Sequence, residues 1–124
     1  MQVIIAPQAR RDIQKILSWT EEQFGPETLR LYAKLLATAI EQIAEDPDRV
    51  GSIQRPDIAE KCQTYHLFFS RKSTGKRGSR RILQPRHFLV YRVKESNIVE
   101  IGRILHDSMD LERNLPPDFR SEQE

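Results

Sequence analysis

One cysteine, Cys62, is all the thiol the chain carries, which excludes an intrachain disulfide and a thiolate cluster for zinc. No apolar run approaches the roughly 18 residues that a membrane span needs. The opening Met-Gln-Val-Ile-Ile-Ala-Pro also lacks the basic and long apolar regions of a signal peptide. A cytoplasmic protein without membrane contact is the expectation. Acid is missing from one window: between Ser70 and Lys94 stand nine Lys or Arg and no Asp or Glu. With +2 net over the chain, the other 99 residues carry −7. Such a block either steers an acidic partner or phosphates toward itself or forms a solvated loop. Its loop cations are Arg71, Lys72, Lys76, Arg77, Arg80 and Arg81. The spacing of His66 and His87 matches no metal motif, and neither metal nor cofactor is expected.

What is present suffices for one domain. The 124 residues, 38% apolar and 31% charged, are ordinary for a single globular unit. Residues 1–115 are read as that unit and 116–124, with Pro116-Pro117, as a polar tail that frays.

The apolar run Gln2 to Ala6 predicts a first strand, ended by Pro7, a residue suited to the first turn of a helix. Ala9, Ile13, Ile16, Leu17, Thr20 and Phe24 then recur at spacings of three and four, one face of an amphipathic helix that Gly25 closes. Pro26 opens a second helix, in which Leu29, Tyr32, Ala33, Leu36, Ile40, Ile43 and Ala44 repeat the spacing until Asp46-Pro47. Residues 48–64 read as a long loop with at most a short turn. Tyr65 to Ser70, YHLFFS, resumes strand character, and 71–84 reads as a basic hairpin loop. The resulting fold class is α+β, in the order β-α-α-β-β-β. A helical hairpin packs on one face of a small, mostly antiparallel sheet, and the other face is left open for a ligand.

Residues 86–115, RHFLVYRVKESNIVEIGRILHDSMDLERNL, carry the candidate site. Phe88 to Val93 and Ile98 to Leu105 are rich in β-branched and aromatic residues and form a hairpin around 94–97. If it turns near Glu95 and Ser96, residues whose numbers sum to about 191 face each other. That register sets Arg92 near Val99 and Arg103 near Phe88, mixing arginine with apolar groups as binding faces do. Alternatively, Arg103 pairs with Asp107 or Glu100 and only steadies the strand. His106 and Asp107 follow the strand, either as a reactive pair or as a hydrogen-bonded structural one. Met109 to Leu115 reads as a short helix with Leu111 and Leu115 inward.

The order of elements, the PRHFLVYRV strand and the VEIGRILHDSMDLERNLP ending together resemble the RelE/ParE family of bacterial type II toxins, specifically its ParE branch, over nearly the whole chain. The resemblance implies one of two activities: inhibition of DNA gyrase, leaving DNA breaks and arresting growth, or ribosome-dependent cleavage of mRNA. It also implies a cognate antitoxin, bound in a hetero-oligomer, whose disordered segment folds along the toxin. RelE-like nucleases, so aligned, carry an Arg on the penultimate strand and an Arg followed by a Tyr after the last. Phe88 and Ser108 occupy those places here, and no tyrosine follows Tyr91. The resemblance therefore favours a gyrase inhibitor with no catalytic residues, contacting its target through Arg92, Arg103, His106, Asp107, Met109, Asp110 and Arg113. The alternative nuclease would use His106 with Arg103 and Arg92. A third reading is a non-toxic homologue that only binds an antitoxin.

Overall fold

The computed structural model describes residues 1–74, 80–95, 97–116 and 119. Strand β1 (Gln2–Ile5) leads into helix α1 (Pro7–Phe24) and helix α2 (Pro26–Glu45), followed by β2 (Ser52–Gln54), β3 (Gln63–His66), β4 (His87–Lys94) and β5 (Ile98–His106). Each helix begins on its proline, where the missing N–H costs nothing. Between them Gly25 has φ +92°, a conformation any Cβ would strain, so the chain reverses within one residue.

The sheet runs β1-β5-β4-β3-β2, with β1 parallel to β5 and the remaining pairs antiparallel. Its helix-facing side buries Tyr65, Leu89, Tyr91, Val99, Ile101 and Ile104 against Ala9 and Ile16 of α1 and Leu35, Leu36, Ala39 and Ile43 of α2. This is the α+β arrangement, helical hairpin on a mostly antiparallel sheet, that the apolar spacing predicts.

Five local expectations are corrected. The 48–64 loop contains an edge strand, β2, tied to the sheet centre by the Tyr91 hydroxyl, which donates to the Pro47 carbonyl at 2.6 Å and lies 2.9 Å from Ser52 Oγ. YHLFFS is strand only to His66. There Nδ1 accepts the Phe68 N–H at 3.0 Å and turns the chain into a 3-10 helix, Leu67–Ser73. The hairpin register is shifted in two steps: Lys94 already pairs with Ile98 at the turn, one residue later than expected, and Gly102, an extra residue on β5 opposite Val90/Tyr91, adds a second step beyond it. Arg92 thus faces Glu100 rather than Val99, and Arg103 faces Val90 rather than Phe88. Met109 to Leu115 holds only a 3-10 turn, Glu112–Asn114.

The fifth correction concerns the second sheet face, which is not left open. Val90 and Leu105 are covered there by Ala59, Cys62, Leu111, Leu115 and Phe119. Gly102 makes the crossing possible: a Cβ there would stand 2.5 Å from Pro116 Cγ and 3.0 Å from the Phe119 ring. So Pro116 and Phe119, read from the sequence as part of a polar tail, pack on the sheet. The rest of 116–124 lies outside the described residues.

Candidate functional site

Strand β4 begins where β5 ends, which pairs His87 with His106, their rings edge to face at 5.3 Å. His66 closes β3 beside Phe88, so all three histidines of the chain meet at one end of the sheet. Asp107, one residue past β5, holds them to the strand start. It accepts from Arg86 Nε at 3.0 Å and Nη2 at 2.8 Å, and lies 3.1 Å from His66 Nε2. The Arg86 hydrogen bonds, helped by His66, hold the Asp107 carboxyl down at about 2 against a desolvation that would raise it. The same contact pushes Arg86 up.

The proton positions follow from the donors. Backbone N–H groups of Phe68 and Ser108 can only donate, and they reach Nδ1 of His66 and of His106 at 3.0 and 3.1 Å. Each of those rings therefore carries its proton on Nε2. Tyr32 accepts the Arg86 N–H at 3.3 Å and stands 2.6 Å from His87 Nδ1, an arrangement satisfied when the phenol donates to the imidazole. Burial pushes Tyr32 up to about 12, keeping that proton in place. His87 is pushed down to about 4, first by burial and then by the neighbouring His106. Three imidazoles with engaged Nδ1 atoms and a carboxylate bound to arginine form a hydrogen-bonding and charged surface. No cluster of His, Cys, Asp or Glu suited to a metal occurs among the described residues.

The model of the ParE toxin of type II toxin-antitoxin systems, parDE, matches residues 3–111. The chain belongs to the ParE toxin family. Toxin ParE1 of Caulobacter vibrioides is 30% identical over 111 residues, covering 90% of this chain and 94% of that protein. Toxin ParE1 of Mycobacterium tuberculosis is 26% identical over 112 residues, covering 90% and 95%. The ParE match spans both helices and all five strands and stops before Leu115 and Phe119, the residues that cross the second sheet face.

Within this ParE-family chain the predicted site residues separate into three groups. Arg92 is buried, with Nε 2.8 Å from Glu100 Oε1 and its guanidinium 4.3 Å from the Phe119 ring centre. Arg103 is bound through two nitrogens to Asp12 of α1, at 2.8 and 3.1 Å, and donates to the Asn114 carbonyl. The expectation that Arg103 pairs with Asp107 or Glu100 is thus corrected. β1 pairs β5 only as far as Ile101, and Asp12 takes over the exposed strand edge, also accepting the Ile104 N–H at 2.9 Å. These arginines join elements of the fold. They do not assemble with His106 either: Arg92 lies on the other sheet face, five residues along β4 from His87, or about 17 Å at strand rise.

His106 and Asp107 belong to the strand-end cluster, and Met109, Asp110 and Arg113 form an exposed hook beyond it. Arg113 lies 3.7 Å from Asp110, which accepts the Glu112 N–H, and Met109 is half exposed. Of the basic loop, Arg71 stacks on Phe68 at 3.5 Å, Lys72 is exposed, and Arg80 pairs with Glu27 at 2.6 Å. Arg81 is half-buried, while Lys76 and Arg77 fall outside the described residues. Sequence reasoning missed Arg86, His66, His87 and Tyr32 as members of one cluster. A register summing to 193 instead of 191 at this end would have set His87 against His106.

Proposed function

We propose that this ParE-family chain is the toxin of a type II toxin-antitoxin pair, arresting growth by inhibiting DNA gyrase and catalysing no reaction of its own. A cognate antitoxin silences it in a hetero-oligomer in the cytoplasm. Family membership supports the toxin and antitoxin roles, and no described helix is long and apolar enough to cross a membrane. The single observation that carries gyrase over RNA as the target is the fate of the two arginines. Cleavage through a 2′-hydroxyl needs a cation at the phosphate beside a general base and a general acid. Arg92 and Arg103 are instead held inside by Glu100 and Asp12. Asp107, held at about 2, is ionised near neutrality and cannot act as the acid.

The target-binding surface in this reading is the exposed part of the predicted set: His106, Asp107, Met109, Asp110 and Arg113. Changing His106 to Gln removes the imidazole that the nuclease reading would use and keeps a hydrogen-bonding side chain. On induction in cells without antitoxin, wild type and His106→Gln should both break chromosomal DNA, seen on pulsed-field gels, and leave mRNA intact in primer extension. Phased mRNA cuts that disappear in the variant would replace gyrase with a ribosome-dependent nuclease.

A further inference from the structure

His66 and His106 make the same contact at the ends of two strands. Each ring turns its Nδ1 onto the backbone N–H two residues later, Phe68 at 3.0 Å and Ser108 at 3.1 Å. The first bond opens the 3-10 helix Leu67–Ser73, and the second opens the hook that leads to Met109 and Arg113. Because β3 and β5 end at the same side of the sheet, both turns wall one hollow, lined by His66, Phe69, Asp107 and Met109. A backbone N–H can only donate, and Nδ1 can accept only while it carries no proton. Both turns therefore depend on neutral imidazoles, and imidazole is the side chain that ordinarily changes charge between about pH 5 and 8. Both rings are open to water, with 27% and 39% of their side chains exposed.

The surroundings can accommodate a second proton on either ring. At His106 the Ser108 hydroxyl, 2.7 Å from Nδ1, can turn from donor to acceptor, and Asp107 Oδ1 lies 3.7 Å from the same nitrogen. At His66 the Nε2–H faces Asp107 Oδ2 at 3.1 Å, an attraction that grows with charge on the ring. The opposing cations are Arg86, bound to Asp107, and Arg71, which donates to the Phe68 carbonyl at 2.8 Å. Arg55, Asp110 and Glu112 complete the charged lining of the hollow. His87 stands against the His106 ring but differs from both: its Nδ1 meets the Tyr32 hydroxyl, and burial pushes it down to about 4. We propose that His66 and His106 are a pair of acid-released latches: protonation at Nδ1 frees the Phe68 and Ser108 amides, and the 67–73 turn and the hook loosen while the sheet stays folded. The hook is loosened rather than detached, because the Met109 N–H keeps the His106 carbonyl at 2.9 Å and the Asp107 N–H keeps that of Arg86 at 2.8 Å. The functional consequence, weaker target binding in acid, rests on the hook being the target surface; the latches themselves do not.

The full chain, labelled with nitrogen-15, is followed by NMR from about pH 8 down to about pH 5, the range of imidazole titration. At the upper end the ring nitrogens of His66 and His106 should report the Nε2–H tautomer. As the pH falls, the Phe68 and Ser108 amide protons should lose their hydrogen-bonded shifts, each with the midpoint of its own ring. Leu89 and Ile104, paired in the sheet, should hold still, and the His87 ring should stay neutral. His66→Asn and His106→Asn separate the latches, since an asparagine oxygen accepts the N–H two residues on and takes no proton. The first variant should leave the Phe68 amide indifferent to pH while Ser108 still moves, and the second should do the reverse. An Nδ1–H tautomer at high pH, rings that do not titrate, or amides that stay fixed while the rings titrate overturns the proposal. So does an amide that still moves in its own asparagine variant. Joint movement of Leu89 and Ile104 also overturns it, in favour of acid unfolding of the whole domain. None of these readouts involves gyrase, so a failed gyrase assay leaves the latches standing, and fixed amides leave the gyrase reading standing.

Discussion

Asp107 accepts hydrogen bonds from Arg86, just ahead of β4, and contacts His66 at the end of β3, while its own N–H donates to the Arg86 carbonyl at 2.8 Å. One carboxylate thus ties together three strand ends that the chain visits far apart in sequence. Because the pair is open to water its worth is modest: Asp107→Asn should lower the melting temperature by a few degrees at pH 7. Asp107 titrates at about 2 when folded against an ordinary 3.8. Its contribution is complete above 3.8 and is lost as pH falls through 2, so the gap between wild type and variant should close over that range. His87 acts in a separate window. It titrates at about 4 against an ordinary 6.5, so between those values the unfolded chain binds a proton that the folded chain refuses. Stability is complete above 6.5 and falls as pH drops through 4. His87→Phe should therefore lose less melting temperature than wild type between pH 6.5 and 4. Equal slopes would mean that His87 is not buried in its neutral form.

At the scale of elements, β5 does most of the organising: it pairs with β1 and β4, binds α1 through Arg103 and Asp12, and carries Gly102 under the C-terminal crossing. Phe119 is 1% exposed there and stacks on Arg92. Phe119→Ala should destabilise by about 3 kcal/mol, the usual cost of emptying a buried phenylalanine site, measured by urea unfolding; a loss under about 1 kcal/mol would show that the crossing is not held. Much of this architecture was legible. Both helices announce themselves by three-and-four spacing and by Pro7, Gly25 and Pro26, and the β4–β5 hairpin by its β-branched residues. β2 was not, because Ser52-Ile53-Gln54 is too short to show alternation and exists by pairing with β3. The histidine cluster was hidden for a related reason: the turn closes one residue later than expected and the unpaired Gly102 moves the register by one more, and no pattern of side chains marks either step in advance. Arg92 and Arg103 looked like surface cations because their partners, Glu100 and Asp12, become neighbours only once the register and the α1 packing are known.

Taken as a whole, the molecule gathers its histidines, Arg86 and Asp107 on the side where β3 and β5 end and β4 begins, and uses the second sheet face for its own C-terminal segment. The acid-free window does not act as one block: Arg80 is matched by Glu27, Arg86 by Asp107 and Arg92 by Glu100. The proposed gyrase reading rests on the locking of Arg92 and Arg103 inside the fold, and a purified system tests that reading most directly. The protein is titrated into a gyrase supercoiling reaction scored for both inhibition and accumulated cleaved DNA, beside a reconstituted translation reaction probed for mRNA cuts. Loss of supercoiling at protein concentrations that leave mRNA whole is the predicted result. Codon-phased mRNA cleavage with gyrase unaffected would contradict it.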